Sequence, residues 1–172
     1  MKALRLLLIA FFLTSVSITA DLFALPEGGE VESGSATFES PNPNTLNITA
    51  ADKTVINFYS FNIASNEIVN FIQPSADASV LSRVTGPGAS DIAGALNANG
   101  TLFLVNPNGI HFAPTANVNV NNFIASTLNI STKNFIEGNY IMEQNLNRLP
   151  AFILNEGRIS GNNIALVASG VH

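Results

Sequence analysis

The stretch Asn106-Pro107-Asn108-Gly109-Ile110 encodes a corner in an otherwise extended chain. Proline presets its own φ, and Asn and Gly tolerate the left-handed backbone that costs other L-residues about 1–2 kcal/mol. The aliphatic Ile110 then leads into the next extended run. The same order recurs in Asn99-Gly100-Thr101-Leu102 and again in Asn155-Glu156-Gly157-Arg158-Ile159, which is followed by Asn163-Ile164-Ala165-Leu166-Val167. Corner-then-strand units in tandem are the mark of a solenoid, in which each unit buries its apolar face only against its neighbours.

Working outward, β-rich runs are read over Thr54 to Phe61, Glu67 to Ile72, Ser79 to Val84, Thr101 to Val105 and Asn117 to Ile130, with no helical stripe after Asp21. Between them stand turn clusters at Pro26 to Gly29, Ser40 to Asn44, Gly86 to Gly88, Asn97 to Gly100 and Asn106 to Gly109. In one run Asn117, Asn119 and Asn121 alternate with Val118 and Val120, which sends aliphatic side chains inward and amides outward. Asparagine makes up 23 of 172 residues, and stacked amide ladders on a solenoid give that excess a structural cause. An open solenoid needs a cover on its first coil, and Gly34 to Asn47 is placed to supply it. The fold expected is all-β.

Seven basic and twelve acidic residues give a net charge of -5, and no basic cluster exists, so the counterion release that drives nucleic-acid binding is missing. No cysteine is present, which excludes disulfides, thiolate nucleophiles and Cys-ligated zinc. At the front, Lys2 and Arg5 precede the apolar run Leu6 to Leu13, and Ala20 offers a small residue for cleavage. Residues 1–20 read as a signal peptide for the general export machinery. The remaining domain, residues 21–172, carries five basic and twelve acidic groups and so a charge of -7.

An ordered series of strings carries a family resemblance. Leu46-Asn47-Ile48 leads to Val55-Ile56-Asn57-Phe58-Tyr59-Ser60-Phe61-Asn62-Ile63 and to Glu67-Ile68-Val69-Asn70-Phe71-Ile72. Ser82-Arg83-Val84-Thr85-Gly86, Ser90-Asp91-Ile92-Ala93-Gly94, the 106–110 corner and Phe123-Ile124-Ala125-Ser126-Thr127-Leu128 follow. From about Leu25 to the end, the chain resembles the filamentous haemagglutinin N-terminal domain, the secretion domain of exoproteins in bacterial two-partner secretion. Phe58 stands where that family usually shows Trp, and Ser82 where Asn usually precedes Arg-Val-Thr, a change expected to weaken a turn hydrogen bond. A second family signature, NPNL, is missing.

The resemblance implies a right-handed, single-stranded parallel β-helix with an N-terminal β cap and short extra-helical strands. It implies targeting rather than catalysis: after export into the periplasm of a double-membraned bacterium, the chain is recognised by the periplasmic domains of an outer-membrane barrel transporter and crosses the outer membrane through it, to the cell surface or beyond. The residues that would carry secretion are Asn106, Pro107, Asn108, Gly109 and Ile110, with Arg83, Thr85, Gly86, Asn57, Phe61 and Asn62 from the other shared strings. Two roles share this reading: an adhesin whose host- or neighbour-cell contacts lie downstream, and the stalk base of a contact-dependent toxin-delivery exoprotein; the enzymatic alternative to it is a solenoid polysaccharide hydrolase. The last would need carboxylates paired on one outer face, whereas Asp77, Asp91, Glu67 and Glu143 are scattered in sequence.

Other chemistry is thin. His111 and His172 are the only histidines, which leaves no two-histidine metal site, and His111 should point outward from a strand as a surface imidazole. Neither a nucleophile elbow nor a phosphate-cradling glycine loop is found, so no cofactor is indicated. Arg83 is a lone cation among apolar residues, expected to bond a corner carbonyl or Asp91. Asn47, Asn99 and Asn129 each open an Asn-x-Ser/Thr glycosylation pattern.

Overall fold

The register of the strands shows how the chain winds. Thr45 stacks on Ile68, Ile68 on Ala95, Ala95 on Asn117 and Asn117 on Arg158, in steps of 23, 27, 22 and 41 residues. The structure, a computed structural model, describes residues 24–170. It is a parallel β-solenoid of about four turns, so the all-β helical architecture read from the corners is the one observed. The expected signal peptide, residues 1–20, and its expected cleavage residue Ala20 lie outside the described residues.

Each turn lays strands on three walls. The first wall is built from β3 (Thr45–Ala50), β5 (Ile68–Ile72), residues 95–98 of β8 (Ala95–Val105), residues 117–120 of β10 (Asn117–Ser126) and β12 (Arg158–Ser160). The second holds β4 (Thr54–Phe58), β6 (Ser79–Val84), residues 101–105 of β8, residues 122–126 of β10 and β13 (Asn163–Val167). The third is short: β7 (Ser90–Ile92), β9 (Ile110–Phe112) and β11 (Ile153–Asn155), with Ile63 bridged to Ile92 above them. All these pairings are parallel.

Period-two alternation inside an in-register stack places like on like. Leu46, Val69, Leu96 and Val118 form one inward column, and Phe58, Phe61 and Phe71 pack together at the top, edge-on at 5.2 Å and stacked at 6.4 Å. Outward on the first wall, Asn70 donates to Asn47 and Asn97 to Asn70, both at 2.9 Å. Asn162 and Asn163 repeat the pattern on Asn121 and Asn122. The amide ladders expected from composition are therefore present.

The cap is antiparallel. β1 (Glu30–Ser33) pairs with β4, and β2 (Ala36–Asn42) folds back on β3 as a hairpin. The cover thus comprises residues 30–42, whereas residues from Thr45 onward, expected as cap up to Asn47, already belong to the first coil. Glu67, 1 % exposed, accepts from the backbone N–H groups of Ala24 and Ala64 and ties the chain's entry to that coil.

Three further expectations are corrected. The turn read at Asn97 to Gly100 lies inside continuous β8. There the chain passes from first wall to second at Gly100, where a Cβ would sit 2.5 Å from the Ala78 carbonyl oxygen. A short helix, α1 (Thr132–Ile136), stands in a stretch where no helical stripe was read, capped by the Ser131 hydroxyl on Asn134 N–H. Five residues are too few to show a 3.6-residue stripe. Ser82 occupies mid-strand rather than a turn, in register with Ile56 and Leu104, and its hydroxyl is buried without a hydrogen-bond partner.

Leaving a hydroxyl unpaired in an apolar column costs roughly 1–3 kcal/mol. Ser82→Ala should therefore raise stability by about 1 kcal/mol, read as an increased urea midpoint at unchanged m-value. An unchanged or lower midpoint would show that the hydroxyl is satisfied in solution.

Candidate functional site

Gly109 N–H donates to the Asn106 carbonyl at 3.1 Å and closes a four-residue turn, with Pro107 in the second place that suits its fixed φ. Gly109 itself has φ of 118°, the one place in the corner where a side chain would be strained. Asn106 is completely buried, and its side chain is fully used. Its Oδ1 accepts from Asn108 N–H at 2.9 Å, and its Nδ2 donates to the Gly88 carbonyl at 3.0 Å and to Ser90 Oγ at 2.9 Å. Asn108 donates to the Gly86 carbonyl at 2.9 Å, and Arg148 donates to Asn108 Oδ1 at 3.2 Å. Ile110 enters β9 with its side chain in the core. The motif thus fastens one corner onto the Gly86–Gly88 corner of the coil above, using side-chain amides where the ladder of strand hydrogen bonds is interrupted.

The remaining residues of the shared strings fall at two other places. Thr85 donates through both its N–H and its hydroxyl to the Phe58 carbonyl, and Gly86 N–H reaches the Tyr59 carbonyl, where a Cβ would lie 2.2 Å away. Asn62 Oδ1 accepts from Asp91 N–H at 2.8 Å next to buried Phe61. These are corner fastenings of the first two coils.

Arg83 and Asn57 lie outward on the second wall. The guanidinium donates to Glu32 Oε2 at 2.9 Å, Asn57 Oδ1 at 3.3 Å, Asn129 Oδ1 at 3.0 Å and the Ile130 carbonyl at 2.7 Å. The corner carbonyl expected for Arg83 is found, but its carboxylate is Glu32, not Asp91. Glu32 also accepts from the Thr132 hydroxyl and from Asn57. The Thr132 bond first, then Asn57 and Arg83, hold its carboxyl below the ordinary value against the opposing effect of desolvation. Sequence reading missed Glu32 and Thr132, because they lie 100 residues apart and neither carries a motif.

His111 does face outward, but it is not a bare surface imidazole. Its Nδ1 lies 3.0 Å from Asp91 and its Nε2 2.9 Å from Glu156. Only the imidazolium donates to both at once. The Glu156 hydrogen bond chiefly, helped by Asp91, raises the histidine pKa above its ordinary value. The register match of Asp91 to His111 carried the signal, since stacked strands put the two side by side. The three glycosylation-pattern asparagines are likewise engaged: Asn47 with Asn70, Asn99 with Gln73 and Asn129 with Arg83.

The sequence profile described as the TPS (two-partner secretion) secretion domain matches residues 24–172. The chain belongs to the two-partner secretion domain family. The crystal structure of the HMW1 secretion domain from Haemophilus influenzae superposes with a TM-score of 0.80 at 36% identity, over 83% of this chain and 39% of that one. Two heme/hemopexin-binding proteins of Haemophilus influenzae, one from strain Rd, share 38% and 36% identity over 103 residues. That segment is 60% and 59% of this chain but 11% of each relative, so the two-partner secretion domain spans a small fraction of their length. The family is one of secretion domains of exported proteins rather than of enzymes. The chain is accordingly the secretion and targeting domain of a two-partner secretion substrate. That assignment implies an outer-membrane transporter as partner and export as the route.

Two measurements test the corner and the charge cluster. Asn106→Ala strips partners from the buried Ser90 hydroxyl, the Asn108 N–H and the Gly88 carbonyl and empties a buried polar site, and should cost about 2–4 kcal/mol of unfolding free energy, against about 1–2 kcal/mol for the half-exposed Asn108→Ala. Equal losses would deny the corner's dependence on the buried amide. For His111 the folded pKa is raised, so its contribution is complete below the unfolded value of about 6.5 and fades as pH rises through the folded pKa. The urea midpoint should fall between about pH 6 and pH 8, and His111→Gln should flatten that segment of the profile; an identical slope in both proteins would refute the assignment.

Proposed function

We propose that the two-partner secretion domain acts on a longer adhesin-like exoprotein: the periplasmic domains of its outer-membrane transporter recognise it unfolded, and it seeds β-helix folding at the cell surface. The observation that carries the first half is the complete burial of Asn106. Any reading of that side chain by a transporter has to precede folding. An unfolded, acidic, amide-rich segment can add as a strand to a receptor sheet edge, with main-chain bonds giving affinity and side-chain pockets giving choice. Asn106, Asn108, Gly109 and Ile110 then serve twice, as a displayed string before passage and as a corner afterwards.

The second half rests on the cap. With β1 and β2 in place, the first coil has a partner above it, and each later coil buries apolar surface worth about 25 cal/mol per Å² against a formed rung. That gain lies on the outer side of the membrane and favours passage without a nucleotide. On the third wall, Asp91 and Glu156 share one face, but the His111 imidazole fills the space between them, where a hydrolase would need its substrate. This arrangement favours the secretion reading over the enzymatic one.

The test is co-expression with a two-partner secretion transporter and assay of the culture medium. Deleting residues 30–42, which removes β1 and β2 but leaves the first coil, should reduce secreted protein at least tenfold while the periplasmic pool persists. Normal secretion by the capless protein would overturn cap-seeded folding.

A further inference from the structure

The second wall is buried from both sides. Its inward residues join the solenoid core. Its outward residues Val55, Leu81, Phe103 and Val105 form a separate buried cluster with Ile130 and Phe135, contributed by residues 127–152 as they leave the helix. Two polar attachments flank this cluster. On one side, Arg83 joins Glu32 of the cap to Asn129 and Ile130, and the Thr132 hydroxyl closes onto Glu32 itself. On the other, Lys53, held at a left-handed corner with φ of 59°, places its ammonium 4.9 Å from the Tyr140 ring centroid and bonds the Tyr140 hydroxyl at 2.7 Å. An antiparallel bridge between Asn129 and Glu143 ties the base of the segment together.

These links differ in kind from the rest of the fold. In a solenoid each coil touches only the coils beside it, and stability accumulates as a sum of neighbour terms. The segment ignores that rule: its contacts join the fourth coil's side excursion to the cap and the first two coils, spanning 87 residues from Lys53 to Tyr140 and 100 from Glu32 to Thr132. Such contacts repay their loop-closure entropy only when both ends are present on the same side of the membrane.

We propose that residues 129–143 are a clasp whose closure onto the cap makes the secretion domain self-sustaining, so that earlier coils remain reversible until this segment has also emerged. The proposal rests on the secretion reading above and adds to it a commitment point. Before closure, the outer stripe of the second wall faces water and the cap carboxylate lacks its Thr132 donor. After closure, pulling any of the first coils back means breaking the clasp as well. Arg83 is in this view a positioning residue for the clasp, not a contact for the transporter.

The absence of native cysteine permits a clean test on the whole chain. Val55→Cys places a thiol under the clasp, and Val69→Cys places one in the inner core; both positions are fully buried. Under native conditions the rate of thiol labelling reports the opening that exposes each site. If the clasp sustains the domain, the two thiols label within about twofold of each other, and Thr132→Val or Arg83→Gln raises both rates together. Labelling of Val55→Cys more than tenfold faster than Val69→Cys would show a clasp that opens while the coils stay closed, and would overturn the proposal. Thr132→Val, the milder change, guards against an Arg83 variant that fails to fold. Failure of the unaltered chain to leave the cell with its transporter would instead strike the secretion reading, and labelling rates do not depend on that result.

Discussion

In-register parallel stacking is the constraint from which the rest follows. Once Thr45 lies over Ile68 and Ile68 over Ala95, each side chain meets its counterpart about two dozen residues along. The sequence must therefore be consistent down columns rather than along the chain. Aliphatic columns become core, amide columns become ladders, and corners must satisfy the backbone groups that the strand pairing leaves behind. Asn106 shows how demanding the last requirement is: one completely buried side chain serves a backbone N–H, a carbonyl and a hydroxyl.

The parts of the fold that were legible in sequence are those governed by local rules. The Asn106–Gly109 corner with its left-handed Gly109, the alternation at Asn117–Asn121 and the strand Ser79–Val84 follow from φ preferences and period two, and all reappear in the structure. What was not legible depends on distance or brevity. β7, β9 and β11 are three residues each, below the length at which alternation can be recognised. The cap's boundary could not be placed because β2 and β3 carry similar patterns and differ only in what they pair with. Ser82 was read within a strand yet expected to affect a turn hydrogen bond, when its place in a column makes it a core residue.

The site shows the same division. The 106–110 motif was recognised, but its use of Gly86 and Gly88 carbonyls belongs to the coil above and has no trace in the local string. Arg83 was singled out as unusual among apolar neighbours, and its partner Glu32 was missed because the antiparallel pairing of β1 with β4 brings it there. The continuous apolar run Leu102–Val105 of β8 was itself a signal: a wall with one wet face should alternate, and this one does not. A second layer outside it was thus implied by the residues, though not which segment would provide it.

The three walls are unequal in what they offer. One is occupied on its outer side by the protein's own chain, one shows rows of uncharged amides, and one shows an imidazole set between acids. The rod therefore has a seam that fixes its rotational orientation. Anything that approaches the folded molecule from the side meets the neutral amide rows or the imidazole between its acids, never the apolar stripe beneath the seam, and of the two open walls it is the imidazole-bearing one that changes charge as the histidine loses its proton.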